Sequence, residues 1–154
     1  MKIIIFTDGS ALGNPGPGGY GAILETEDKK YKKELAQGYI KTTNNRMELL
    51  AVIVALEILK NSSEVLIWSD SKYVVDSVEK GWVYGWEKKN YKNRVNSDLW
   101  IRFLKIYRKH DVSFKWIKGH AGHPGNERAD QLAVMAAKSE YLIADEGYQN
   151  PSTN

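Results

Sequence analysis

The sequence predicts an α/β domain built on one mixed, five-stranded sheet with helices covering both faces. Three observations carry that expectation. Ile3-Ile4-Ile5-Phe6-Thr7 is an unbroken apolar and β-branched run, the pattern of a strand buried on both sides. The first three strand-like segments are joined by short turns, which favours an antiparallel meander. A long apolar helix then leads to Val65-Leu66-Ile67-Trp68-Ser69, and a right-handed crossover through it sets that fourth strand parallel to the first and beside it.

Taken in order, the glycine- and proline-rich run Leu12 to Gly19 turns the chain after the first strand. Tyr20 to Thr26 reads as the second strand, Asp28-Lys29-Lys30 as a turn, and Tyr31 to Thr42 as the third strand. Asn44 or Asn45 caps a helix reaching about Lys60. Between Met47 and Leu59 its only charges are Glu48 and Glu57, so it should be buried nearly all round. Ser71 to Glu79 is helical and ends at Gly81. Trp82 to Asn96 breaks the pattern, mixing Trp82, Tyr84, Trp86 and Tyr91 with Lys88, Lys89, Lys92 and Arg94. Ser97 to His110 is a helix whose apolar side carries Leu99, Trp100, Phe103, Leu104 and Tyr107. Val112 to Ile117 alternates as the fifth strand, Lys118 to Asn126 is a loop, and a last helix runs from about Glu127 to Lys138. Residues 1–143 are expected to form one domain and 144–154 a polar, flexible tail.

Composition narrows the function classes. With 154 residues, 42% hydrophobic and 27% charged, the chain suits a single globular domain with one substantial core. It has no cysteine, which excludes disulfides and thiolate metal sites. No run is long enough to span a bilayer, and Met1-Lys2 leads straight into the first strand without a signal peptide. A cytoplasmic protein with no membrane partner is expected. The net charge of +3, from 22 basic and 19 acidic residues, is compatible with a nucleic-acid partner without arguing for one.

The chemistry lies in four carboxylates. Asp8 and Asp70 each follow directly on a short apolar strand, so parallel neighbouring strands would bring them to equivalent carboxyl ends, where open α/β sheets hold their ligands. Glu48 shares a helical face with Val52, Ala55 and Leu59 and should point toward the sheet. Asp130 lies near the start of the last helix beside Ala129 and Ala133. Two like charges about 4 Å apart repel by roughly 4 kcal/mol at an effective dielectric near 20. A domain stable by only about 5–15 kcal/mol cannot carry four such groups uncompensated. Protons or divalent cations must offset them, and an all-oxygen donor set favours Mg²⁺ or Mn²⁺. The competing readings are local: Glu48 as a partner of Arg46, Asp130 as a helix-dipole residue, Asn44 and Asn45 as caps.

TDGS at 7–10, GNPGPGGYGA at 13–22, TTNNRMEL at 42–49, SDSKYV at 69–74 and KGHAGHPGNERAD at 118–130 together resemble bacterial type 1 ribonuclease H. The resemblance covers nearly the whole chain, in order. It implies the ribonuclease H-like fold and a monomeric endonuclease that hydrolyses the RNA strand of RNA/DNA hybrids, leaving 5′-phosphate and 3′-hydroxyl ends. The family's metal-binding carboxylates match Asp8, Glu48, Asp70 and Asp130, holding two Mg²⁺ ions for which Mn²⁺ substitutes. Its mobile histidine matches His120, with proton transfer or product release as the role. His123 reads as a loop-packing residue, and His110 as a residue at a helix end.

Contacts to the RNA strand fall, by the same resemblance, on Asn14, Asn44, Asn45 and Glu48. The segment from Trp82 to Arg94 resembles the family's basic handle, with Trp82 and Trp86 at the DNA strand and Lys88, Lys89 and Lys92 on phosphates. Either tryptophan could instead be a core anchor. Thr43 matches one residue of a DNA-phosphate pocket, while Gly85 stands where relatives commonly carry asparagine. Lys72 stands where glutamine is frequent and adds a positive charge to the substrate-binding set. No hybrid-binding domain is expected ahead of Met1.

Overall fold

The computed structural model describes residues 2–149. In chain order the elements are β1 (Lys2–Ala11), β2 (Gly16–Thr26), β3 (Lys32–Thr42), α1 (Asn44–Glu57), β4 (Glu64–Ser69), α2 (Lys72–Glu79), α3 (Trp82–Lys88), α4 (Ser97–Tyr107), β5 (Asp111–Trp116), α5 (Pro124–Ala137), β6 (Leu142–Ile143) and α6 (Glu146–Gln149). The strands form one sheet in the order β5-β4-β1-β2-β3-β6. The β1–β2 and β2–β3 pairs are antiparallel, while β4 lies parallel to β1 and β5 parallel to β4. The mixed sheet and the crossover inferred from the sequence are therefore present.

Each face of the sheet buries a different helix set. Ile5, Leu24, Val65 and Ile67 meet α1, α2 and α4 through Leu49, Val52, Ile53, Leu56, Val74, Trp100 and Phe103. On the other face Phe6 and Ile23 pack against Ala129 of α5. Because α1 is enclosed between the sheet and α4, ten of its residues are buried, as its near-uniform apolarity demands.

Several element limits differ from the sequence reading. Strand β1 runs on past Thr7 to Ala11, paired with β2 as far as Gly18, and α1 and α4 stop about one turn early. Four further differences each have a local reason. The sheet has a sixth strand, β6, a two-residue segment pairing parallel with β3. So short a strand leaves no periodic signal. The second strand begins at Gly16 rather than Tyr20, with a register shift between Gly16 and Gly18 that absorbs the turn-like glycines as an irregularity. The last helix begins at Pro124 rather than Glu127, since proline suits a first helical turn. The cap of α1 is Thr43, neither Asn44 nor Asn45: Thr43 is extended (φ −123°, ψ 160°) and its hydroxyl accepts from the Arg46 N–H at 3.2 Å.

The segment expected as a flexible tail is also partly folded. Asp145 is 6% exposed and accepts from Arg46 Nε at 2.8 Å and from the Thr42 hydroxyl at 2.6 Å. Arg46 reaches on to both carboxylate oxygens of Asp98, at 2.9 and 2.7 Å. One buried guanidinium thus ties α1, α4 and the chain end together, and it is this that orders residues 144–149. The rest of the expected tail, 150–154, lies outside the described residues.

Candidate active site

Strand register brings the first two carboxylates together. Thr7 pairs with Ser69 across β1 and β4, so Asp8, within β1, and Asp70, just past the end of β4, stand at the same level on adjacent parallel strands. Glu48 reaches them from α1, which lies close on β1 because Gly9 has no side chain. A Cβ there would collide with the backbone of Met47 and Glu48. The Gly9 N–H donates to Glu48 Oε1 and, at 3.0 Å, to Asp8 Oδ1. Asp130 comes from the second turn of α5, beyond the first turn where a helix dipole would account for it. All four line one open cavity of about 540 Å³, together with Asn44, Asn45, Lys72 and His120. Ser10, Ser71 and Tyr73 also line it. They flank expected residues in sequence and carried no signal of their own.

The electrostatics are those of an unbalanced anionic cluster. One carboxylate oxygen each from Asp8, Glu48 and Asp70 lies within 4.8 Å of the others. Asp8 and Glu48 are 6% and 5% exposed. Burial, with repulsion from Asp70 and Asp130, pushes Asp8 up to about 7, although its hydrogen bond with Glu48 works the other way. Burial likewise raises Glu48 well above the usual carboxylate range, reinforced by Asp8 and Asp70 and opposed by the Gly9 N–H. Among the described residues no lysine, arginine or histidine forms an ion pair with any of the four. Arg46, the obvious local partner for Glu48, is committed to Asp98 and Asp145.

This donor set fits a divalent cation. Oxygens on opposite sides of an ion bound at about 2.1–2.5 Å stand roughly 4–5 Å apart, the scale of the observed cluster. A carboxylate whose folded pKa is raised holds its proton longer in the native state, so its stabilising contribution is present at low pH and lost as pH rises through the folded value. The metal-free chain should therefore melt several degrees lower at pH 8 than at pH 5.5, since Asp8 titrates near 7. Added divalent ion should reverse the loss at pH 8. A thermal melt that is flat across this range, with and without ion, would contradict the cluster's electrostatics.

The remaining expected residues divide into three groups. His120 is exposed in the loop after β5, with φ of 58°, at the cavity rim. Gly119 before it lets this loop close over Asp70, because a Cβ would come within 2.7 Å of Oδ2. At the start of α1, Asn14 Oδ1 accepts from the Asn44 N–H at 3.0 Å, tying the glycine-rich turn to the helix. With Thr43 as cap, the side chains of Asn44 and Asn45 are free to face the cavity.

The handle residues stand apart from the carboxylates. Trp82 is 48% exposed at the start of α3, with the Lys80 ammonium 5.4 Å from its ring centroid. Trp86 is partly a core anchor: it meets Trp100 edge-on at 5.4 Å, and Arg94 covers its other side at 4.3 Å. Lys88, Lys89 and Lys92 are exposed, and the last two line a separate groove of about 1030 Å³ against α4. Gly85 lies on the exposed side of α3, where an added Cβ would meet nothing within 4 Å. An asparagine would fit there without strain. His123 packs on Phe6 and Trp68 at 5.1 and 5.5 Å, a loop-packing role, and His110 Nδ1 accepts from the Ser63 N–H.

Comparison with known proteins accords with this geometry. The RNase H family model matches residues 1–138. A ribonuclease H of Desulforamulus reducens is 52% identical over 149 residues, covering 94% of this chain and 92% of its own. Among solved structures, LC9-RNase H1, described as a type 1 RNase H with the type 2 active-site motif, superposes with a TM-score of 0.80 at 31% identity, covering 99% of this chain and 81% of its own. LC11-RNase H1, solved in complex with an RNA/DNA hybrid, gives 0.68 at 29% identity, covering 88% and 96%. A match that spans the strands, the crossover and all four carboxylates, with identity above half to a full-length relative, places the chain in the ribonuclease H family of divalent-metal-dependent nucleases.

Proposed function

We propose that the chain is an endoribonuclease that hydrolyses the RNA strand of RNA/DNA hybrids, with Mg²⁺ as its ion and Mn²⁺ as a substitute. The observation that carries this reading is the meeting of Asp8, Glu48 and Asp70 oxygens within 4.8 Å, with no cation among the described residues paired to them. Asp8, Glu48, Asp70 and Asp130 would hold two ions, which supply an activated water and stabilise the leaving 3′ oxygen. The products are then a 5′-phosphate and a 3′-hydroxyl.

The chain's own residues do the rest. Asn44 and Asn45 offer amides at the cavity mouth for ribose 2′-hydroxyls, with Asn14 holding their helix start in place. Glu48 can accept from a 2′-hydroxyl through an oxygen not turned to an ion. His120, at the rim, moves a proton or escorts the product out. Thr43 and the handle (Trp82, Trp86, Lys88, Lys89, Lys92) grip the DNA strand, and Lys72 reaches a phosphate near the cavity. We read the enzyme as a cytoplasmic monomer; no helix among the described residues is long and apolar enough to cross a membrane.

The deciding experiment incubates labelled RNA, DNA, double-stranded RNA and hybrid with Mg²⁺, Mn²⁺ or chelator. Cleavage confined to the RNA of the hybrid and abolished by chelator is expected; equal cleavage of double-stranded RNA would reject hybrid specificity. Replacing Lys88, Lys89 and Lys92 together by alanine should raise KM about tenfold or more at moderate salt, with kcat little changed, because phosphate contacts act through counterion release. A fall in kcat alone would remove these lysines from the binding surface.

A further inference from the structure

Lys72 lines the cavity and rests against Trp116, a residue to which the cleavage reading gives no part. Lys72 opens α2 two residues after Asp70, and it lines the cavity that holds the carboxylates. A flexible ammonium beside four unneutralised carboxylates would be expected to fold in among them. It does not: among the described residues Lys72 belongs to no ion pair. Its Nζ lies instead over the ring of Trp116, 4.8 Å from the centroid. That ring is itself anchored. The indole N–H donates to the main-chain carbonyl of Asp70 at 3.0 Å, and Trp116 ends β5 in register with Ser69. The aromatic face holding the lysine is thus pinned to the residue whose carboxylate the lysine would otherwise reach.

We propose that Trp116 is a positioning residue that parks the Lys72 ammonium outside the carboxylate cluster. The attraction of the cation to the ring face competes with the pull of the carboxylates. Their oxygens stay open to divalent ions, and the ammonium stays at the rim, where a substrate phosphate can meet it. Without the ring, Lys72 becomes a tethered cation that competes for the ion site from inside the protein. The inference rests on the reading of the four carboxylates as a divalent-cation site.

The test measures Mn²⁺ binding to the full chain, free of nucleic acid, by electron paramagnetic resonance. Six proteins are compared: unmutated, K72Q, W116L, W116F and each of the last two combined with K72Q, all checked by thermal melt. W116L should bind Mn²⁺ about fivefold more weakly, the scale of one exposed cation–π contact. That weakening should vanish in the K72Q background, so that W116L/K72Q binds as K72Q does. W116F, which keeps an aromatic face but loses the anchoring N–H, should show a smaller shift of the same sign, also absent with K72Q. It carries the comparison through if W116L does not fold. Unchanged affinity in W116L and W116F would overturn the proposal, as would a weakening that persists with K72Q, which would mark the indole as a structural support for Asp70. No Mn²⁺ uptake by the unmutated chain would overturn the ion-site reading itself, and this inference with it.

Discussion

Asp70→Asn should abolish cleavage while leaving the hybrid bound. The substitution keeps the shape of the side chain and removes one negative charge from a cluster whose three nearest oxygens stand within 4.8 Å. An amide oxygen is a poorer partner for a hard cation than a carboxylate, so the change strikes ion binding directly. Groups that act as one catalytic unit lose far more than a proportional share when one is removed, so a drop in kcat of at least about 10³-fold is expected. Binding should survive, because Lys88, Lys89 and Lys92 lie on exposed surface apart from the cavity. Gel-shift titration beside single-turnover kinetics separates the two effects. Turnover within tenfold of the unmutated enzyme would remove Asp70 from the metal-holding set. Asp8→Asn should behave alike in activity, and it should also raise the melting temperature of the ion-free protein. The charge it deletes is one that burial and its neighbours already disfavour.

Arg46→Ala should be the most damaging single change to stability. Arg46 is 3% exposed and carries paired hydrogen bonds to Asp98 and Asp145. Removing it leaves the buried Asp145 carboxylate with the Thr42 hydroxyl still donating to it but no cation beside it. Stripping one partner from a buried ion pair typically costs about 3–5 kcal/mol, because the orphaned charge stays desolvated. For a chain of this size that corresponds to a fall in melting temperature of about 10 °C. Amide exchange should rise first in residues 142–149, which the guanidinium holds to α1. A loss below about 1 kcal/mol would mean that water enters and replaces the arginine.

Some features were legible from residue patterns because they are local. The continuous apolar run at Ile3 to Thr7 and its echo at Val65 to Ser69 mark parallel neighbours, and the uncharged length of α1 marks an enclosed helix. Glu48 could be placed by helical phase alone, since a buried face leaves a glutamate no other direction. Features settled by contacts between distant segments were not legible. Thr43 rather than an asparagine caps α1, a matter of one residue's dihedral angles. The folding of residues 144–149 depends on Arg46 meeting Asp145 across 99 positions. A buried arginine in an apolar helix was the available hint that such a partner existed. Trp116 gave no sign of its tie to Asp70, because the indole bonds to a main-chain carbonyl, which every residue possesses.

The amino-acid sequence by itself determined which strands and helices form the sheet and its cover and where Asp8, Glu48, Asp70 and Asp130 lie on them, since those follow from periodicity and from the cost of burying charge. Only the tertiary structure decided how close the carboxylates come, that no cation among the described residues pairs with them, and where Lys72 rests. Those outcomes depend on distances between segments remote in the chain, and the balance of burial, repulsion and partner choice exists only once the segments have packed.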